Sequence, residues 1–227
     1  MKKRNMLLIT VLSFIVCAIH AVILNTQYNN YVLTSAIKLI AFILCPMIYF
    51  SVTKTGKIED LILRIGHKKY IKQALWFSVI VFAFILVGFI VVRSQLERDM
   101  IVRALLDIGI TSKNYPLVFV YIVFVNAALE ELFFRGFVFL TIYRGGHKRY
   151  AYIYSAVLFA LYHVAVVKEG VTIGALIMTV AGLAVAGLIF NELTRRCKSV
   201  VGSLAVHIAA NVAINLIGVY YLYFYKF

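Results

Sequence analysis

Acidic residues are scarce in this chain of 227 residues, which has 9 aspartates and glutamates against 23 lysines and arginines. Charged residues of both signs make up only 14% of the sequence, well below the roughly one quarter that a soluble domain carries. Hydrophobic residues make up 63%. The composition therefore excludes an ordinary soluble domain and a disordered chain, and it is typical of an integral membrane protein.

Cysteine and proline are also rare, with three and two residues. Cys17, Cys45 and Cys197 fall inside or at the ends of apolar runs without C-x-x-C spacing, so neither a disulfide framework nor a metal knuckle is indicated. The formal net charge is +14, but the cations lie in short gaps between apolar runs. We interpret them as signals for membrane topology and predict no nucleic-acid partner.

Seven apolar runs are long enough to cross the hydrocarbon core of a membrane, which takes about 20 helical residues. They cover residues 6–24, 31–52, 73–93, 116–142, 150–166, 171–192 and 199–223. The predicted fold is all-α, a polytopic transmembrane helix bundle of about seven spans. We predict two parts: N-terminal transmembrane helices and loops in residues 1–115, and a helical core, formed by the last four spans, in residues 116–227.

The distribution of lysine and arginine predicts the orientation of these spans. The cations are concentrated in segments that share a side with the N-terminus, namely residues 2–4, 53–72, 143–149 and 193–198. Because cytoplasmic loops carry the excess of these residues, the N-terminus is predicted to be cytoplasmic. The short loops favour a multi-pass protein of a prokaryotic cell membrane. In the gap 94–115, apolar residues at helical spacing predict a helix on the membrane surface.

Two further features of the spans predict packing. Lys38 lies near the outer end of the second span, from which its long side chain is predicted to snorkel to the membrane surface. In the sixth span the small residues Gly182, Ala186 and Gly187 predict close contact with neighbouring helices. Both interpretations are structural.

Charged residues interrupt the fourth span in the stretch ALEELFFRG, which holds Glu130, Glu131 and Arg135. A charge at the bilayer centre costs about 2.5 to 3.5 kcal/mol on insertion scales, so three of them within six residues indicate a functional site. Glu131 and Arg135 are four residues apart and share a helix face, which predicts an ion pair. Glu130 is rotated by about 100° from Glu131 and is predicted to be the free carboxylate.

Polar residues of two other spans lie at a similar predicted depth. His163 is in the fifth span, and His207 and Asn211, which share a face, are in the seventh. Measured from the cytoplasmic ends of their helices, these residues and Glu130 lie roughly 12 to 20 Å deep, at 1.5 Å per residue. Three helices thus contribute to what we predict is one buried polar site.

The polar residues form three motifs, E-E-x-x-x-R, F-x-x-x-H and H-x-x-x-N. Their residues are Glu130, Glu131 and Arg135, then Phe159 and His163, then His207 and Asn211. In order and separation the motifs resemble those of the CAAX-protease and bacteriocin-processing family of intramembrane proteases, also called Abi. The resemblance covers about residues 116–223 and implies an intramembrane endopeptidase.

The resemblance also implies which residues are catalytic: Glu130, Glu131, Arg135, His163, His207 and Asn211. Peptide hydrolysis needs water, a base and stabilisation of the oxyanion. Glu130 is the predicted base. The histidines and Asn211 either polarise the carbonyl group directly or, in the case of His163 and His207, bind a metal.

The sequence leaves the cofactor open between a divalent metal such as Zn²⁺ and none. Two histidines and a carboxylate can form a catalytic zinc site, but the H-E-x-x-H signature is absent. The chain has no G-x-S-x-G motif, and no serine or cysteine pairs convincingly with a base. A covalent nucleophile is therefore not predicted.

The predicted partners are membrane lipid and a peptide or protein substrate, in peptide maturation, bacteriocin immunity or signalling-peptide processing. The sequence does not indicate an oligomeric state. The alternative is a non-catalytic membrane regulatory or immunity protein that binds a sensor kinase or a bacteriocin receptor. An ion or proton transporter is a weaker alternative, because no broken helices or inverted repeat are visible.

Overall fold

The computed structural model describes residues 2–26, 30–56, 68–93, 98–167 and 173–224. Within these ranges the chain forms eight helices, if consecutive helical segments are joined, and no strand. They are α1 (Lys3–Leu24), α2 (Tyr31–Thr53), α3 (Lys68–Val92), α4 (Arg98–Asp107), α5 (Tyr115–Arg144), α6 (Lys148–Val167), α7 (Ile173–Cys197) and α8 (Val201–Phe224). The predicted all-α fold is confirmed.

Six of these helices, namely α1, α2, α3, α5, α7 and α8, are long and apolar enough to cross a membrane. Helix α6 lies in the place of the remaining predicted span, and over its described residues it is not among these six. Phe84, Leu117 and Met178 expose 76%, 78% and 74% of their surface. Such an apolar exterior suits contact with lipid. Because it is combined with six helices long enough to span a membrane, the chain is a multi-pass membrane protein.

Two predictions of topology fall partly outside the described residues. The predicted orientation depends on lysines and arginines in the gaps between the spans. Parts of these gaps, residues 57–67 and 168–172, lie outside the described residues. The cytoplasmic position of the N-terminus therefore stays a prediction. In the gap 94–115 the helix α4 is present, while residues 94–97 lie outside the described ranges. Its place on the membrane surface also stays a prediction.

Helix α5 is the centre of the bundle and contacts α1, α2, α6, α7 and α8. Its second half is rich in phenylalanine, and Phe133, Phe134 and Phe137 are at most 1% exposed. The ring of Phe42 on α2 stacks on that of Phe133, with centroids 4.0 Å apart and an angle of 16° between the planes. These aromatic contacts fix α2 against the part of α5 that carries the acidic pair.

Helix α5 changes its winding on both sides of the acidic pair. The segments Tyr121–Asn126 and Glu131–Phe139 are π-helical, and the short segment Ala127–Glu130 between them is α-helical. π-helical turns are rare and are found frequently at functional sites. Glu130 and Glu131 thus lie at the junction of two kinds of turn.

The small residues of α7 do not all pack alike. A Cβ atom on Gly187 would lie 2.9 Å from the Cα of Ala156 on α6, whereas one on Gly182 would have no described atom within 4 Å. Ala186 is half-buried. The prediction of close packing is confirmed at Gly187 and is wrong for Gly182, because only Gly187 faces a neighbouring helix backbone.

Gly187→Ala is expected to lower the stability of the protein, since its methyl group overlaps the α6 backbone and overpacking costs about 1 to 3 kcal/mol. Gly182→Ala is the matched control on the same helix; it should leave stability unchanged or raise it, because alanine favours a helix. The midpoints of thermal unfolding of the purified proteins in detergent compare the two changes. Equal midpoints would contradict the close contact.

Candidate active site

The acidic pair of α5 lies inside the bundle and not on its lipid-facing surface. Glu130 is 2% exposed, and Glu131 and Arg135 have no exposed surface. Helices α2, α6 and α8 each bring a basic or aromatic residue to this pair, as described below. Because buried charges are stable only with partners, the contacts of each group decide what it can do.

Glu131 and Arg135 form the predicted ion pair, with Nη1 of Arg135 3.1 Å from Oε1 of Glu131. The geometry is that of a close charge contact, because no guanidinium nitrogen forms a well-aligned hydrogen bond with the described residues. The guanidinium carbon instead lies 4.1 Å and 4.8 Å from the ring centroids of Phe159 and Phe190. One carboxylate and two aromatic faces therefore stabilise the buried cation.

The same carboxylate of Glu131 orients His207. Its Oε1 lies 2.9 Å from Nδ1 of His207. A carboxylate paired with an arginine accepts hydrogen bonds, so the proton is on Nδ1 and the other ring nitrogen is left for contacts. The predicted ion pair therefore also sets the orientation of a predicted site residue, His207.

His163 is held in the same way by the backbone. Its Nδ1 lies 2.8 Å from the carbonyl oxygen of Phe159, which can only accept a hydrogen bond. Its Nε2 lies 3.7 Å from Oε2 of Glu130, and Nε2 of His207 lies 3.6 Å from the same oxygen. The structure therefore brings both imidazoles to one carboxylate oxygen.

Glu130 is not the free carboxylate predicted from the helix rotation. Its Oε1 lies 3.4 Å from Nζ of Lys38, and it accepts hydrogen bonds from Nδ2 of Asn126 at 3.1 Å and from the hydroxyl of Tyr162 at 3.3 Å. Its Oε2 is buried and accepts no hydrogen bond from any residue in the described ranges. One oxygen of the carboxylate is held, and the other faces the imidazoles.

Lys38 is the residue that the sequence interpretation missed. It does not snorkel; it is 8% exposed and its ammonium group donates to Oδ1 of Asn126 as well as to Glu130. The balance of buried charges could have indicated this contact. Arg135 pairs with Glu131, so a buried Glu130 requires a second cation. Lys38 is the lysine within a predicted span. Tyr162, next to His163, carried no sequence signal.

Asn211 is placed differently from the other predicted site residues. Its side-chain nitrogen donates to the carbonyl oxygen of Ile122 on α5 at 3.1 Å. Ile122 belongs to the π-helical segment Tyr121–Asn126. Asn211 therefore joins α8 to α5 one turn from His207, and its described hydrogen bond does not lead to Glu130 or to an imidazole.

The described residues contain no preformed metal centre. A catalytic zinc needs three protein ligands around one point, and no group of three or more His, Cys, Asp or Glu among the described residues has that arrangement. Lys38 and Arg135 also place two cations beside the carboxylates, and their charge opposes that of a divalent ion. With Nδ1 engaged by the carbonyl oxygen of Phe159 and by Glu131, His163 and His207 each direct Nε2 at Oε2 of Glu130, an arrangement that serves hydrogen bonding and ligation alike.

Fold and site together define an all-α, multi-pass membrane protein with a buried centre of carboxylates and histidines. The model of the Rce1-like family, described as type II CAAX prenyl endopeptidase Rce1-like, matches residues 112–213. All three motifs lie in the matched segment, so the match confirms the resemblance predicted from them. The family is one of proteases. Neither the search of curated proteins nor the search of solved structures returned a match.

Glu131→Gln is expected to lower the free energy of unfolding by about 3 to 5 kcal/mol, because it leaves Arg135 buried without a counter-charge. Glu192→Gln breaks the partly exposed contacts of Glu192 with Arg195 and Arg196, and a loss of no more than about 1 kcal/mol is expected. Thermal and denaturant unfolding in detergent measure both. A loss of similar size in the two variants would contradict the buried pair.

Proposed function

We propose that this chain is an intramembrane endopeptidase in which Glu130 activates water for attack on a peptide bond. The observation that carries the proposal is the environment of Glu130 Oε2. It is buried, has no hydrogen-bond donor among the described residues and lies 3.7 Å and 3.6 Å from Nε2 of His163 and His207. A carboxylate oxygen so placed is suited to accept a proton from a water molecule beside it.

In the proposed reaction the water oxygen bonds to the carbonyl carbon of the substrate while Oε2 of Glu130 takes one water proton. When the tetrahedral intermediate collapses, the carbon–nitrogen bond breaks and the leaving amine takes the proton back from Glu130. The products are a carboxylic acid and an amine, so atoms balance with water as the only co-reactant.

The remaining predicted residues assist this step. His163 and His207 present Nε2 because their Nδ1 atoms are engaged by Phe159 and Glu131. In the neutral imidazole Nε2 accepts a hydrogen bond from the water, and once protonated it donates one to the carbonyl oxygen of the substrate. Glu131 and Arg135 hold His207 in place. Asn211 acts next to them, through its hydrogen bond to α5 or through the second N–H of its amide.

The substrates that suit a buried site in a membrane protein are membrane-associated peptides or proteins. The matching family is described as one of CAAX prenyl endopeptidases, and a prenylated C-terminus is one substrate that a membrane enzyme can receive. We also propose that the protein lies in a prokaryotic cell membrane with its N-terminus in the cytoplasm. For such a protein, peptide maturation, bacteriocin immunity or signalling-peptide processing is better suited than the cleavage of prenylated C-termini.

Glu130→Gln is expected to abolish cleavage, because glutamine keeps the shape of the side chain but cannot take the proton. Cells that express the wild-type or the variant chain at equal membrane levels are compared by mass spectrometry of their small peptides. Peptides that disappear in the variant, with longer precursors in their place, identify the substrate. Glu192→Gln is the control and should leave the peptides unchanged. It removes a carboxylate of α7 whose hydrogen bonds go to Tyr152, Arg195 and Arg196 and not to a predicted site residue.

Identical peptides in wild-type and Glu130→Gln cells, together with an unchanged cellular phenotype, would contradict the proposal. That outcome favours the non-catalytic alternative, in which the polar cluster only packs helices and the chain binds a membrane partner such as a sensor kinase or a bacteriocin receptor.

Removal of divalent metal is expected to leave cleavage intact, since in the proposed reaction Glu130 itself activates the water and the cations of Lys38 and Arg135 lie beside the carboxylates. The purified protein is treated with a chelator, separated from it, and assayed on a synthetic precursor peptide found in the comparison of cells. Metal content is measured by elemental analysis in parallel. Loss of cleavage that returns with added Zn²⁺ would show instead that cleavage depends on zinc.

A further inference from the structure

The two oxygens of Glu130 have different surroundings. Oε1 is contacted by three groups from three helices: Lys38 on α2, Asn126 on α5 and Tyr162 on α6. Oε2 has none of these contacts and faces the two imidazoles. The carboxylate is therefore fixed in rotation as well as in position, because turning it would break the three contacts of Oε1.

Lys38 is held firmly enough to maintain this difference. Its ammonium group donates to Asn126 as well as to Glu130 and lies 5.9 Å from the ring centroid of Tyr162. One turn further along α2, Phe42 stacks on Phe133 of α5. A lysine normally extends towards water, so these contacts replace the hydration that its buried head has lost.

We propose that Lys38 is a positioning residue of this site, which holds Oε1 of Glu130 by its charge and thereby leaves Oε2 as the oxygen that acts on water. The inference rests on the proposed function. Each buried carboxylate then has its own cation: Arg135 for Glu131, and Lys38 for Glu130. No residue of the three motifs supplies the second cation, so the site needs a side chain from the N-terminal helices.

Lys38→Met removes the charge and keeps the length of the side chain. We expect kcat to fall about 100-fold, as for a misplaced catalytic group, while KM stays within about twofold because the residue does not contact substrate. Lys38→Arg keeps a cation and should retain at least about a tenth of the wild-type kcat. The assay uses the precursor peptide identified through Glu130→Gln, with the purified protein in lipid nanodiscs.

Lys54→Met is the matched control. It removes a lysine from the exposed C-terminal end of the same helix and should leave kcat and KM at the wild-type values. A purely structural Lys38 would change the yield of folded protein or its thermal midpoint but not kcat per folded molecule. Wild-type kcat in folded Lys38→Met would overturn the proposal.

A cycle of thermal unfolding tests the charge contact independently of any substrate. Lys38→Met alone leaves a buried carboxylate without its cation, and adding Glu130→Gln removes that carboxylate. We expect the double variant to be more stable than Lys38→Met. Strictly additive shifts in the midpoint would show that the two side chains do not interact and would overturn the proposal.

Two complications are covered by the same set of variants. If Lys38→Met does not fold, Asn126→Leu serves in its place, because it removes the neutral group that bonds both the ammonium group and Oε1 of Glu130, without leaving a buried charge unpaired. It should lower kcat, and an unchanged kcat would count against the proposal. If Glu130→Gln changes no peptide in cells, the proposed function fails and the catalytic role of Lys38 fails with it, while the thermal cycle still decides whether the two charges are paired.

Discussion

The contact between Glu131 and Arg135 is the interaction on which the rest of the site depends. Both groups are fully buried, so neither would be stable there without the other. The pair does more than neutralise itself. The guanidinium is enclosed by Phe159 of α6 and Phe190 of α7, and the carboxylate binds His207 of α8. One ion pair on α5 thus holds three other helices in register around it.

Glu130 shows the same physics with a different outcome. Its cation comes from another helix and contacts Oε1, and Oε1 of Glu131 likewise takes the contacts of Arg135 and His207. Each carboxylate keeps one buried oxygen without a hydrogen bond among the described residues. The two differ in their neighbours, because Glu131 orients His207 whereas Oε2 of Glu130 faces both imidazoles. Because α5 turns by about 100° per residue, two consecutive glutamates can serve two such directions.

The fold could be predicted from sequence because apolar length and helix periodicity decide it, and within the described residues each of the seven predicted spans overlaps a helix. The convergence of Glu130, His163 and His207 also follows, since their depths depend only on the rise per residue. The contact of Lys38 was not predicted. Its depth alone is equally consistent with snorkelling, and the contact depends on which face of α2 packs against α5, the face on which Phe42 stacks on Phe133. The hydrogen bond of Asn211 to Ile122 depends on a π-helical turn that no sequence pattern indicated.

The predicted division of the chain at residue 115 stays a prediction, but the site does not follow it. The family match begins at residue 112 and therefore leaves out α2, which provides the cation beside Glu130. A sequence motif contains residues that are close together in the chain. A buried carboxylate needs a cation beside it, and that cation can come from any helix of the bundle. The first helices of the chain, which carry no motif, must therefore be counted as part of the site wherever they supply a charge that the motifs lack.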